Sequence, residues 1–191
     1  MLLAKWTVDI LYEYIHGSSI RNMYVENRFD KNKILKALRY LHKNNVVHRD
    51  LSCSNILLDD KGVVKVVGFH FAQEIEGEKE IGEWIRWAAP EILIPQGEYC
   101  GSFSDIWSLG CTVLEMITAA LPYSNLTWFG AVAEVREGKM PMMPEQLPNY
   151  CREFVQICLQ KNPLNRPTAS QLLHHPFIAC ANTNVPHSRR R

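Results

Sequence analysis

Several features are absent from this 191-residue sequence, and each absence excludes some classes of protein. No apolar run approaches membrane-spanning length, and the first six residues are too short for the apolar core of a signal peptide. Neither charge is in excess, since 21 basic and 20 acidic side chains leave a formal net charge of +1. We therefore expect neither nucleic acid nor a membrane as a partner, and we expect the cytosol, or alternatively the nucleus, as the compartment.

Paired metal-binding cysteines are also absent. The six cysteines form no C-x-x-C pair, and no histidine lies at zinc-finger spacing from two of them. They predict reduced thiols, several of them in the core. They are Cys53, Cys100, Cys111, Cys151, Cys158 and Cys180.

What is present is the pattern of a mostly helical domain. Residues 31–42 carry apolar side chains at helical spacing and predict an amphipathic helix. Residues 106–118 are apolar almost all round, which predicts a helix at the centre of the domain. Residues 55–58 and 63–67 flank a D-D-K-G turn and predict a small β-hairpin.

Weaker patterns complete the predicted secondary structure. Residues 7–14 alternate and predict a short strand, which residues 16–19 interrupt. Residues 153–160 and 169–174 predict two further helices. Together these elements indicate an α+β domain that is predominantly helical.

The loop before the hairpin contains the candidate catalytic residues. Residues 47–51 have the sequence V-H-R-D-L, and Asn55 lies five residues after Asp50. Aspartate and asparagine at this spacing can point into one pocket. The carboxylate can accept the proton of an attacking hydroxyl, and the amide oxygen can hold a metal ion. The pattern is that of the protein-kinase catalytic loop, H-R-D-L-x-x-x-N.

Three further motifs follow in the order found in protein kinases. Residues 89–91 have the sequence A-P-E, residues 105–110 the sequence D-I-W-S-L-G, and residues 165–168 the sequence N-R-P-T. From about residue 8 to about residue 178 the chain therefore resembles a eukaryotic protein kinase. In detail it is most similar to the Ser/Thr mitogen-activated protein kinase kinase kinases, particularly the plant type.

The resemblance implies the fold and the domain organisation. Residues 1–14 would be a remnant strand and the hinge, and residues 15–178 the large, C-terminal lobe, with the small lobe essentially absent. Residues 179–191 would be a disordered tail that ends in three arginines. We interpret these arginines as a solvated, frayed end rather than as a docking or localisation signal.

The resemblance also implies the roles of the site residues. Asp50, which follows Arg49, would be the catalytic base, and Asn55 would be a magnesium ligand. Glu13 and Tyr14 would form the hinge that meets adenine. ATP and Mg²⁺ are the implied cofactors, although the sequence gives no evidence that their binding is retained.

Other matched residues would hold the lobe together. Asp105 would brace the backbone of the catalytic loop, and Glu91 would form a buried ion pair with Arg166. For these three residues and for His48, the structural role is the main one.

Two side-chain losses argue against catalysis. Residues 67–70 have the sequence V-G-F-H where protein kinases have D-F-G, so Gly68 replaces the main magnesium ligand. Ser52 replaces the lysine that steadies the transferred phosphate. A glycine cannot coordinate a metal, and a serine hydroxyl is shorter and neutral.

Regulatory and nucleotide-binding motifs are missing as well. Residues 71–91 contain no Ser, Thr or Tyr, so phosphorylation cannot switch this segment on in the usual way. No G-x-G-x-x-G or V-A-I-K motif occurs, and the stretch from 14 to 48 is shorter than is usual in the family. The five losses together predict that the chain does not transfer phosphate by itself.

The segment after Phe71 is instead acidic. Its negative charge could pair with Arg49 and mimic a phosphorylated loop, but we favour a solvated acidic loop. The glutamates are Glu74, Glu76, Glu78, Glu80 and Glu83.

Three functions remain open at this point. The preferred one is a non-catalytic kinase-like module that binds a protein partner, such as a kinase of the same cascade. The second is a fragment or incomplete form of a Ser/Thr protein kinase, and the third is an active kinase with an unusual metal arrangement. The apolar cluster of Trp84, Ile85 and Trp87 would be the docking surface, unless these side chains pack inward.

Overall fold

A three-stranded antiparallel sheet lies beside the catalytic loop. The computed structural model describes residues 15–23, 31–69, 82–94 and 101–179. Strand β2 (Ile56–Asp59) is central, with β1 (Gly17–Ser19) on one side and β3 (Val64–Val66) on the other. The hairpin of β2 and β3 confirms the sequence prediction, with Ile56 opposite Val66.

The prediction that residues 16–19 break a strand is wrong, because residues 17–19 form β1. Ser18 pairs with Leu58 in this strand. A Cβ at Gly17 would collide with the carbonyl oxygen of Leu58, so glycine is what lets β1 approach β2 so closely. The sequence pattern indicated that this glycine ends a strand. In the structure it allows the backbones of two strands to lie close together.

Helix α1 (Lys31–Lys43) confirms the first predicted helix. Its inner face is buried through Ile34, Leu35 and Leu38. It packs against β3 and against the later helix α6 (Ala169–Leu172). Its C-terminal end leads directly into the catalytic loop, so packing of α1 fixes where that loop starts.

The next two helices in the chain frame the centre of the domain. Helix α2 (Pro90–Leu93) is a single short turn. Helix α3 (Ser102–Thr118) is buried continuously from Ser104 to Glu115, which confirms the predicted central helix. Trp107 is fully buried, and burial of such a side chain contributes about 2–3 kcal/mol.

In the described part of the chain, four further helices follow α3, and one of them packs on it. Helix α4 (Trp128–Arg136) was not predicted from the sequence. Helix α5 (Asn149–Cys158) begins four residues before the predicted position 153 and packs on α3. Helix α6 is shorter than predicted and begins at a Thr168 capping box, and α7 (Pro176–Ala179) follows it. The structure therefore supports a predominantly helical domain with one small sheet.

The cysteines in the described residues lie in the core. Cys53, Cys111, Cys151 and Cys158 are buried and form no disulfide, as predicted. Burial raises the pKa of Cys151 to about 11, so its thiol is protonated at neutral pH. Cys100 and Cys180 lie outside the described residues.

Some sequence predictions fall outside the described residues. These are the strand at 7–14, the hinge residues Glu13 and Tyr14, the acidic residues from 74 to 80, and the tail from 180. The absence of a small lobe also stays a prediction. Within the described ranges, no helix has the length and apolar character needed to cross a bilayer.

Candidate functional site

The catalytic loop is held by one buried carboxylate on α3. Asp105 is fully buried, and its two oxygens accept hydrogen bonds from the backbone N–H groups of His48, at 2.9 Å, and Arg49, at 2.8 Å. His42, in the last turn of α1, lies 2.9 Å from the same carboxylate through Nε2. Charge-assisted bonds of this kind are about twice as strong as neutral ones. The contact implied for Asp105 by the resemblance is therefore present.

Arg49 adopts a backbone conformation that requires such support. Its φ is 66°, in the left-handed region that costs a residue with a Cβ about 1–2 kcal/mol. The hydrogen bond to Asp105 holds this conformation in place. The turn at Arg49 directs the chain toward Asp50.

His48 links the loop to the strand that precedes Gly68. Its Nε2 lies 2.9 Å from the carbonyl oxygen of Val67, and its Nδ1 lies 3.2 Å from the backbone nitrogen of Asp50. Because the carbonyl can only accept and the backbone N–H can only donate, the ring is neutral with its proton on Nε2. The edge of Phe69 meets the same ring at 4.8 Å between centroids.

Asp50 and Asn55 are brought together, as their spacing predicts. The Asn55 amide nitrogen donates to the Asp50 carbonyl oxygen at 2.8 Å and to the Asp50 carboxylate at 2.9 Å. Both protons of the amide are therefore directed at Asp50. The two residues form one hydrogen-bonded unit.

Gly68 lies against the other side of this unit. Its φ is +87°, and a Cβ at this position would lie 2.6 Å from Cγ, 2.7 Å from Oδ1 and 2.8 Å from Nδ2 of Asn55. These separations are far below van der Waals contact. The space that a side chain at position 68 would need is thus filled by the amide of Asn55.

The donor set for a magnesium ion lacks one of the carboxylates that the ion would use. Mg²⁺ requires near-octahedral oxygen ligands and is commonly bound by one or two carboxylates together with phosphate oxygens. Gly68 offers no side-chain ligand, and Asn55 can offer only its amide oxygen, since its amide nitrogen is directed at Asp50. Across the described ranges, no group of three or more His, Cys, Asp or Glu side chains could hold a metal ion.

Ser52 is enclosed by the fold. It is 7% exposed, and its carbonyl oxygen accepts a 3.0 Å hydrogen bond from the Asn55 backbone in the turn Cys53–Asn55. A lysine here would have to extend out of this turn before its charge could meet a phosphate. The position at which the sequence predicts the loss of a lysine is therefore buried.

The segment Glu83–Trp87 is held to the core through Ile85 and Trp87, whereas Trp84 is partly exposed. Ile85 is 3% exposed and Trp87 5% exposed, so the inward-packed alternative is the correct one for both. Trp87 Nε1 donates to Glu115 at 2.9 Å, and the same oxygen lies 3.4 Å from the backbone nitrogen of Cys53. Glu115 thus joins this segment to the catalytic loop.

Sequence reasoning missed two residues that organise this region. Glu115 is a carboxylate in the apolar second half of α3, a pattern that could have indicated a buried, hydrogen-bonded group. The guanidinium of Arg86 donates to the carbonyl oxygens of Pro122 at 3.1 Å and Tyr123 at 2.7 Å. No local sequence signal indicates that second contact.

The predicted ion pair of Glu91 and Arg166 is present. It is bidentate, with Nη1 2.6 Å from Oε1 and Nη2 2.8 Å from Oε2. Arg166 also donates to the Phe103 carbonyl at 2.9 Å, and it lies 5.1 Å above the ring of Trp107. The pair connects α2 to the loop before α6 and is structural in its contacts.

Comparison with known proteins gives a consistent result. The family model of the protein kinase domain matches residues 5–178. Mitogen-activated protein kinase kinase kinase 3 of Arabidopsis thaliana is 36% identical, over 96% of this chain and 33% of that protein. Mitogen-activated protein kinase kinase kinase 1a of Physcomitrium patens is 37% identical over 90% of this chain and 24% of its own length. Mitogen-activated protein kinase kinase kinase YODA of Arabidopsis thaliana is 41% identical over 90% of this chain and 21% of that protein. The chain therefore spans about a third or less of the length of these relatives.

Proposed function

This chain belongs to the protein kinase family and is related to the mitogen-activated protein kinase kinase kinases, and we propose that it is a non-catalytic member that acts by binding a protein partner. The observation that carries the proposal is the contact between Gly68 and Asn55. It concerns the position at which kinases of this family place their main magnesium ligand.

Because of this contact, replacing Gly68 by aspartate would not simply restore the missing carboxylate. An aspartate at position 68 would have to hold φ near +87° and displace the amide of Asn55. The left-handed conformation adds at most about 1–2 kcal/mol, and less for aspartate than for most residues, because its short side chain can hydrogen-bond locally. Moving Asn55 would also break its hydrogen bonds to Asp50. The loop is thus arranged around a glycine.

The intact parts of the site support a stable scaffold and do not by themselves support catalysis. Asp105, His48 and the pair of Glu91 with Arg166 all make contacts within the lobe. None of these contacts depends on a nucleotide. A domain that retains them can keep its fold and its surfaces while its chemistry is lost.

The first test is thermal unfolding of the purified chain, with and without saturating ATP and Mg²⁺. A ligand that binds only the folded state at about 100 times its Kd stabilises that state by about 2.7 kcal/mol, which corresponds to a shift of about 5–10 °C. We expect a cooperative transition with no shift. The same protein should transfer no radiolabelled phosphate to Ser- and Thr-containing peptides, at the level of an Asp50→Asn control.

A magnesium-dependent shift, accompanied by transfer that Asp50→Asn abolishes, would overturn the proposal. It would favour the alternative of a Ser/Thr protein kinase that transfers the γ-phosphate of ATP. The partner in our proposal is a protein, and a kinase of the same cascade is the first one to test. Capture of that kinase by the purified chain, without ATP, is the matching measurement.

A further inference from the structure

The outward face of α1 carries an unusual set of side chains. It lies opposite the buried face formed by Ile34, Leu35 and Leu38. Tyr40 is 69% exposed on this face, although tyrosine is usually at least half buried. We call it the α1 basic face, and its members are Lys36, Arg39, Tyr40 and Lys43.

Within the described residues, the lysines and arginines on this face have no acidic neighbour in the helix. Five of the thirteen residues of α1 are Lys or Arg and none is Asp or Glu, whereas the whole chain is nearly balanced at +1. The elements packed most extensively against α1 are α6 and β3, and they contribute Lys65 and no carboxylate. Within the part of the chain that the structure describes, Lys36, Arg39 and Lys43 form no ion pair.

This arrangement works against the stability of the helix. Arg39 and Lys43 are four residues apart and Lys36 and Arg39 three apart, so like charges face each other along one side. The first turn also contains lysines and no acidic residue, which opposes the helix dipole. The dipole favours Lys43, which lies in the last turn, but it does not explain the lysines of the first turn or the like-charge pairs. Binding of an anionic partner would explain them.

We propose that the α1 basic face docks an acidic, carboxylate-rich segment of a partner protein, with Tyr40 as the aromatic anchor. The face runs about 10 Å from Lys36 to Lys43, which matches about three residues of an extended peptide. Tyr40 and Arg39 are of the residue types that are enriched in protein-binding hot spots. Complementary charge would steer the encounter and make the affinity depend on salt.

A protein segment fits this face better than a membrane surface does. Helices that lie in a bilayer insert an apolar face. In α1 that face is already buried in the core through Ile34, Leu35 and Leu38. The docking surface does not depend on the absence of catalysis, and its test uses no nucleotide.

The test measures binding of a fluorescein-labelled peptide of glutamates with a central leucine, by fluorescence anisotropy at low and high salt. The variant Lys36→Glu/Lys43→Glu changes the charge of the face by four units. Its matched control is Lys61→Glu/Lys161→Glu, which makes the same change at two exposed lysines outside α1. Thermal unfolding of both variants checks their fold. We expect little change for the α1 variant, because the like-charge repulsion that it removes offsets the negative charge that it places in the last turn.

We expect saturable binding that weakens with salt, a loss of at least about tenfold in the α1 variant, and a change within about twofold in the control. Tyr40→Ala should also weaken binding, and a peptide with glutamine in place of glutamate should not bind. Equal losses in both charge variants would show a response to net charge alone and would overturn the proposal. So would absence of peptide binding, including the case in which phosphatidylserine vesicles bind in its place.

Discussion

Replacement of Gly68 by alanine tests the arrangement on which the proposed function depends. The matched control is Gly62→Ala, because Gly62 has a similar φ of +73° but has no heavy atom within 4 Å of a built Cβ. The control therefore measures conformational strain alone, about 1–2 kcal/mol of unfolding free energy. Gly68→Ala adds the overlap with Asn55, whose atoms would lie 2.6 to 2.8 Å from the new Cβ.

We expect Gly68→Ala to destabilise the chain by at least about 1 kcal/mol more than Gly62→Ala, since a methyl group forced into an occupied site costs about 1–3 kcal/mol. Urea denaturation at 25 °C, followed by tryptophan fluorescence, measures both values. Asn55→Ala in the Gly68→Ala background removes the overlap. The double-mutant cycle should then give a coupling energy of about 0.5–3 kcal/mol. Equal costs for the two glycines, or no coupling, would refute the packing of Asn55 on Gly68.

Two further predictions concern the core. Glu91→Ala leaves Arg166 buried without its carboxylate and should lower the unfolding free energy by about 3 kcal/mol, against less than about 0.5 kcal/mol for the exposed Glu153→Ala. A small loss, equal to that of the control, would contradict a structural role for the pair. Burial raises the pKa of Cys151 from 9.0 to about 11, so its contribution is complete below pH 9 and declines as the pH rises toward 11. The stability difference between the wild type and Cys151→Ala should therefore shrink over that range, and a constant difference would contradict the shift.

The elements that the sequence predicted well have a strong internal period. Helix α1 has a clear apolar face, and α3 is apolar almost all round, so burial alone determines their type. Helix α4 was missed because only Ala131 and Val135 in it are buried, too weak a pattern to recognise. Strand β1 was missed because Gly17 marks a break in a local pattern, while its close approach to Leu58 depends on a strand almost forty residues later.

The candidate site likewise contains contacts that the sequence predicted and contacts that it did not. The contacts of Asp105, and the pair of Glu91 with Arg166, followed from motif order, since these residues match a known pattern one by one. The inward packing of Trp87 was open in the sequence, because an apolar residue suits both a surface patch and a core. Its partner Glu115 lies 28 residues away, and no local rule connects the two.

The contact between Gly68 and Asn55 could not be predicted from the sequence. The sequence shows that the ligand at position 68 is lost, but it does not show which group occupies the space. A missing carboxylate could leave an open position for a water molecule or another ligand. Here the neighbouring amide lies against the glycine and donates both its protons to Asp50. Restoring the carboxylate would therefore require movement of Asn55, and Ser52 would remain buried where the family has a lysine. Because the brace at Asp105 and the pair at Arg166 involve none of these three residues, the scaffold can persist independently of the chemistry. A single reversion at position 68 should for this reason alter stability before it restores any phosphoryl transfer.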